Sequence, residues 1–153
     1  MGTARVEESG GRSSVAMTDK PQKRERPRFE VRFYTDEKGY SQIRDWFLNL
    51  RESNPKALVK AKQIVWRLGQ EGLDLRRPEA DVVDSPIREL RTQYANLTLR
   101  IYYWHQDDTL FIAAAAETKK QSRVDPKLIP YAKMCFDDFQ RRLQEQEDET
   151  ERL

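Results

Sequence analysis

The chain has 153 residues, of which 35% are charged and 37% hydrophobic, with a formal net charge of +2. That length suits one domain with its own core, and so small a net charge permits a nucleic-acid partner without demanding one. The single cysteine, Cys135, excludes an internal disulfide framework, and with His105 as the one histidine the chain lacks the ligands of a dedicated zinc site, so no metal and no cofactor are expected. No apolar run approaches the roughly 20 residues that span a bilayer, and no signal-peptide core opens the chain, so a cytoplasmic protein without membrane contacts is expected.

Residues 1–28 are rich in Gly, Ser and charge, and cannot bury enough surface to offset the entropy of ordering. They are predicted to form a disordered tail. Its end carries Lys20, Lys23, Arg24, Arg26 and Arg28 against Glu25, a basic stretch suited to RNA or ribosome phosphates. The plainer alternative is a solvated extension, with Met17 as the native start.

Phe29 to Tyr34 alternates apolar and polar residues, the mark of a strand. From Tyr40 the period becomes helical, with Ile43, Trp46, Phe47 and Leu50 on one stripe. Asn54 then caps a second helix that Pro55 opens. Leu58, Ala61, Val65 and Leu68 line its apolar side, and Gly69 and Gly72 are predicted to end it. Trp46 and Trp66 are assigned to the core or the helix pair. Leu73 to Pro86, with two prolines, four acids and no clear period, reads as a loop.

The stretch from Ile87 to Lys120 packs three strand-like runs together: Ile87 to Arg91, Leu97 to Trp104 and Thr109 to Ala116. The breaks at Thr92 to Asn96 and His105 to Asp108 have hairpin length, so neighbouring antiparallel strands are predicted. Side chains alternate, so Arg100, Tyr102 and Trp104 share one face while Leu99, Ile101 and Tyr103 share the other. Leu90 then points to the core, leaving Glu89 and Arg91 beside Arg100 and Tyr102. Lys119 and Lys120 leave the third strand toward the same region. Cations gathered on one face call for an anion, and phosphate is the common one.

After Lys120, Asp125 and Pro126 are placed to start a last helix, delayed by up to a turn at Pro130, with Leu128, Ala132, Cys135, Phe136, Phe139 and Leu143 at helical spacing. Residues 144–153 are strongly charged and predicted to fray. The predicted class is α+β, with one domain over residues 29–143 ordered strand, helix, helix, three strands, helix.

The order Glu89-Leu90-Arg91, a short loop, Arg100 within an aromatic-rich strand, an apolar strand, Lys119-Lys120 and a proline-opened helix containing Ala132 resembles the phage-derived HigB branch of the RelE/ParE toxin superfamily. The resemblance runs from Phe29 to Leu143. It departs at Glu117, where that branch often has an aromatic residue two places before the paired lysines. A RelE-like fold is implied, with a small, mostly antiparallel four-stranded sheet packed by helices. The implied activity is a metal-independent, ribosome-dependent endoribonuclease that cuts mRNA in the decoding site and inhibits translation. The implied partners are mRNA, the ribosome and a cognate helix-turn-helix antitoxin.

Cleavage of this kind needs a 2′-hydroxyl deprotonated, a 5′-oxygen protonated and charge on phosphorus stabilised. Arg91 and Arg100 are the candidate phosphate clamps. Lys119 or Lys120 is a candidate base, which like-charge repulsion from the two arginines would help to lose its proton. Glu117 is the rival base, and Tyr102 a candidate to stack on a nucleobase or donate a proton. Against this stands a purely structural role, in which Arg91 with Glu89 or Arg100 with Glu117 form exposed cross-strand pairs worth under about 1 kcal/mol. His105 reads as a surface loop residue. Two other functions share the fold: a ParE-like inhibitor of DNA gyrase that cuts nothing, and an antitoxin-binding remnant.

Overall fold

The computed structural model describes residues 27–120 and 123–153; most of the predicted basic tail, including Lys20, Lys23, Arg24 and Arg26, lies outside the described residues. Strand β1 spans Glu30–Phe33, helix α1 Gln42–Ser53 and helix α2 Pro55–Glu71. Ser41 caps α1 by accepting from the Arg44 N–H at 3.2 Å. Asn54 serves both helices: its N–H donates to the Leu50 carbonyl at 2.8 Å, and its side chain accepts from the Ala57 N–H at 3.2 Å. Pro55 stands at the first turn of α2, as predicted.

Of the two glycines expected to end α2, Gly72 does so with φ +56°, and Gly69 does not. Gly69 is buried inside the helix because the incoming chain crosses it there. The Phe29 N–H donates to the Gly69 carbonyl at 2.9 Å, and a Cβ on Gly69 would stand 3.3 Å from the Phe29 carbonyl oxygen. At Gly72 a Cβ would run into the Phe29 ring, so left-handed backbone and close approach both select glycine.

Trp66 corrects a second expectation. It is 60% exposed, because α2 buries Ala57, Leu58, Ala61, Ile64 and Leu68 and holds Trp66 on the opposite side. Trp46 is in the core, donating its indole N–H to Thr118 Oγ1 at 3.0 Å. Trp66→Ala is therefore expected to change unfolding free energy in urea by no more than about 0.5 kcal/mol. A larger loss would mean that Trp66 packs on something other than solvent.

Beyond a 3₁₀ turn at Gly72–Asp74, the segment read as a loop contains strand β2, Ala80–Asp84. Strands β3 (Ile87–Tyr94), β4 (Leu97–Asp107) and β5 (Leu110–Lys120) follow. The sheet is therefore five-stranded and mixed, in the order β1-β5-β4-β3-β2, with β1 parallel to β5 and the other pairs antiparallel, in place of the expected four mostly antiparallel strands. β2 escaped detection because it is an edge strand with outward acids and an irregularity between Val82 and Asp84, which erases the alternation. The hairpin breaks are also shorter than predicted, reduced to turns at Ala95-Asn96 and Asp108-Thr109.

Both faces of the sheet are covered. Leu90, Leu99, Ile101, Tyr103 and Phe111 join α1 and α2 in one core. Tyr102, Trp104, Ile112, Ala114 and Ala115 join helix α3 (Leu128–Glu151) in the other. The faces are those the alternation predicted. The four alanines Ala113 to Ala116 are almost wholly buried, small enough to let elements approach from both sides. Beyond the reach of β1, Gln42 completes the β5 edge: its amide nitrogen donates to the Ala116 carbonyl at 2.9 Å and its oxygen accepts from the Ala116 N–H at 2.8 Å.

Asp125 does not cap α3 directly. It accepts from the Lys127 N–H at 2.9 Å, two residues later, and the helix begins at Leu128. Pro130 then falls in the first turn, where its missing N–H leaves nothing unpaired. Residues 144–151, predicted to fray, continue α3 as exposed helix. No helix among the described residues is long and apolar enough to cross a membrane.

Candidate functional site

Strand register assembles the predicted residues. Glu89 lies opposite Tyr102 and Arg91 opposite Arg100 across β3 and β4; Arg100 lies opposite Glu117 and Thr98 opposite Lys119 across β4 and β5. Directly paired residues share a face, so Glu89, Arg91, Arg100, Tyr102, Glu117 and Lys119 all stand on the face away from the helix pair. Lys120 does not. It pairs with Leu97, and its neighbour Thr118 faces Trp46 on the other side.

Within this group the charges are not all displayed to solvent. Arg100 is only 3% exposed, with Nε 2.8 Å from Glu89 Oε1 and Nη1 donating to the Arg123 carbonyl at 2.8 Å. Glu117 is 5% exposed, accepting from the Tyr102 hydroxyl at 2.6 Å and from the Asp125 N–H at 3.0 Å. The structural alternative was Arg91 with Glu89 or Arg100 with Glu117, as exposed pairs. The pair that forms is Arg100 with Glu89, and it is buried. Burial removes water from both ions, so each is held in place by the cost of leaving the other alone.

Tyr102 is buried and its pKa is raised well above the phenol range, first by desolvation and next by its bond to Glu117. It therefore keeps its proton and donates it to the carboxylate, and its buried ring is closed to stacking on a nucleobase. Both Glu117 oxygens carry a bond, so the group reads as a positioning residue that ties the segment after β5 onto the sheet. The partners Arg123 and Asp125 escaped sequence reasoning because they act through main-chain atoms, which no side-chain pattern reports.

The cations that reach solvent on this face are Arg91 and Lys119. Arg91 is half-buried, its Nε directed at the Pro78 carbonyl over a long 3.4 Å, and Lys119 is likewise half-buried. The predicted open surface of cations is thus a floor of buried ion pairs with two accessible cations above it. His105 lies outside the group, its ring centroid 4.9 Å from that of Phe111. Cys135 is buried on the inner side of α3 and its thiol is pushed up to about 11, chiefly by that burial. Among the described residues no three His, Cys, Asp or Glu side chains cluster as metal ligands.

The chain matches the family model described as "Phage derived protein Gp49-like (DUF891)" over residues 45–137, well over half its length. The matched segment runs from α1 into α3 and includes every candidate site residue. No curated protein matches the chain. With this sheet, this helix pair and this match, the chain belongs to the phage-derived Gp49-like family, a RelE-like family associated with the toxins of toxin–antitoxin systems.

Proposed function

We propose that this chain is a HigB-like toxin acting in the cytoplasm as a metal-independent, ribosome-dependent mRNA endonuclease that inhibits translation, restrained by a cognate helix-turn-helix antitoxin. The observation that carries the reading is the placement of Arg91 and Lys119, accessible and on one face, over the buried Arg100–Glu89 pair. In the proposed reaction the 2′-oxygen attacks phosphorus in line and the bond to the 5′-oxygen breaks, leaving a 2′,3′-cyclic phosphate. Lys119 takes the 2′ proton, and water on the opposite side of phosphorus supplies the proton that the departing 5′-oxygen takes up. Arg91 holds the non-bridging oxygens, Arg100 adds positive potential from beneath, and Glu117 with Tyr102 keeps the β5 end in register.

A second reading, a ParE-like gyrase inhibitor or an antitoxin-binding remnant, draws on one observation: Arg100, Tyr102 and Glu117 are engaged with neighbours rather than left open for substrate. Primer extension on mRNA translated in a purified system separates the two. The expected result is discrete cleavage that persists with a metal chelator present. Intact mRNA together with blocked gyrase supercoiling would replace the nuclease reading with the ParE-like one.

A further inference from the structure

Away from the sheet face, at the outer edge of the sheet, a pocket of about 370 Å³ lies between β2, β3 and the loop before β2. Three arginines line it, Arg76, Arg77 and Arg88. Arg77 is paired with Asp81, Nε to Oδ2 at 2.8 Å. The other two have no acidic partner among the described residues: the exposed Arg76 side chain makes no hydrogen bond there, and the half-buried Arg88 makes only a 3.4 Å contact to the Tyr103 hydroxyl. Two uncompensated cations in a concave, partly apolar site hold a positive potential that an anion would neutralise. Asp81, the partner of Arg77, also lines the pocket, and the rest of the wall is apolar, formed by Leu75, Ala80 and the 47% exposed Val82.

We propose that this pocket binds one nucleotide unit of a single-stranded RNA, its phosphodiester held by Arg76 and Arg88 and its sugar or base laid against Val82. The inference rests on the nucleic-acid reading above and extends it to a second point of contact. At about 370 Å³, near the lower end of small-ligand pockets, it has room for one nucleotide unit. Guanidinium groups also match phosphate oxygens two at a time. The pocket and the candidate site are connected. Arg76 and Arg77 directly precede Pro78, whose carbonyl faces Arg91 Nε, and the Arg91 N–H donates to the Glu79 carbonyl at 2.7 Å. A strand held at Arg91 therefore needs only to round this sheet edge to reach the arginine pocket.

The test is fluorescence anisotropy of the full chain with a fluorescein-labelled single-stranded RNA of about 10 nucleotides, titrated across potassium chloride concentrations. Arg76→Ala should lower the slope of log affinity against log salt by about 0.7, and Arg76→Ala with Arg88→Gln by about 1.4, with affinity down about tenfold at low salt. Lys56→Ala with Lys60→Ala removes the same charge from the exposed side of α2 and should leave the slope near that of the wild type. Arg76 is exposed and makes no side-chain hydrogen bond or ion pair among the described residues, so its single variant tests the pocket even if the double variant unfolds. If the arginine variants match the lysine control while the wild type binds RNA and cuts mRNA, the pocket assignment is wrong and the nuclease reading stands. If the wild type binds a labelled polyglutamate peptide in preference to RNA, an acidic protein segment is the ligand. If it neither binds RNA nor cuts mRNA, both readings fall.

Discussion

Arg100→Ala is expected to lower the stability of the protein by about 3–5 kcal/mol, because it leaves Glu89 as an unpaired charge in a place that water reaches poorly. For a domain of this size that corresponds to a fall in Tm of roughly 10–20 °C. The same substitution frees the Arg123 carbonyl, loosening the segment that leads into α3. Adding Glu89→Gln to Arg100→Ala removes the stranded charge and should recover a large part of the loss. Thermal unfolding of both variants by circular dichroism decides the matter. A single variant that melts within a few degrees of wild type would show that the pair contributes little to the fold. An inactive Arg100→Ala protein therefore reports on folding before it reports on catalysis. Glu89→Gln, which keeps a hydrogen-bond acceptor, is the gentler probe of the same contact.

Lys119→Ala is expected to reduce mRNA cleavage about 100-fold to 1,000-fold, the usual consequence of losing a group that acts in the transition state. Lys120→Ala should stay within a few-fold of wild type. The two residues are adjacent and chemically identical, so the contrast isolates geometry: Lys119 shares the face of Arg100 and Glu117, while Lys120 projects to the other side. Neither lysine has a side-chain partner among the described residues, so both variants should fold, and circular dichroism would verify this. The readout is the rate of primer-extension product on translated mRNA. Equal losses from both variants, or a larger loss from Lys120→Ala, would remove the sheet face as the site, whatever the family.

Local pattern made several parts of the structure readable in advance. Asn54 and Pro55 announce a helix boundary through bonds that lie within four residues of one another, so no distant contact is needed to recognise it. The alternation along β4 likewise assigned Arg100, Tyr102 and Trp104 to one face and Leu99, Ile101 and Tyr103 to the other. β2 was missed because its irregularity breaks the alternation, and Trp66 was misjudged for a different reason. Apolar residues at helical or strand spacing show that a face exists, and only the neighbouring elements determine which face is covered.

By itself the sequence determined the type and order of most elements, the two faces of β4 and the set of residues from which a site could be built, because these depend on periods of two and 3.6 residues and on short-range caps. Tertiary structure decided what that set can do. Strict alternation along β5 from Ile112 would carry Lys120 to the face of Arg100. Instead Tyr102 pairs with Ala115 and Tyr103 with Ala113, and the extra residue at Ala114 reverses the parity so that Lys119 arrives there. The burial of Arg100 was decided in the same way. Glu89 comes from the neighbouring strand and the Arg123 carbonyl from the segment beyond β5, and neither is near Arg100 until the sheet is assembled.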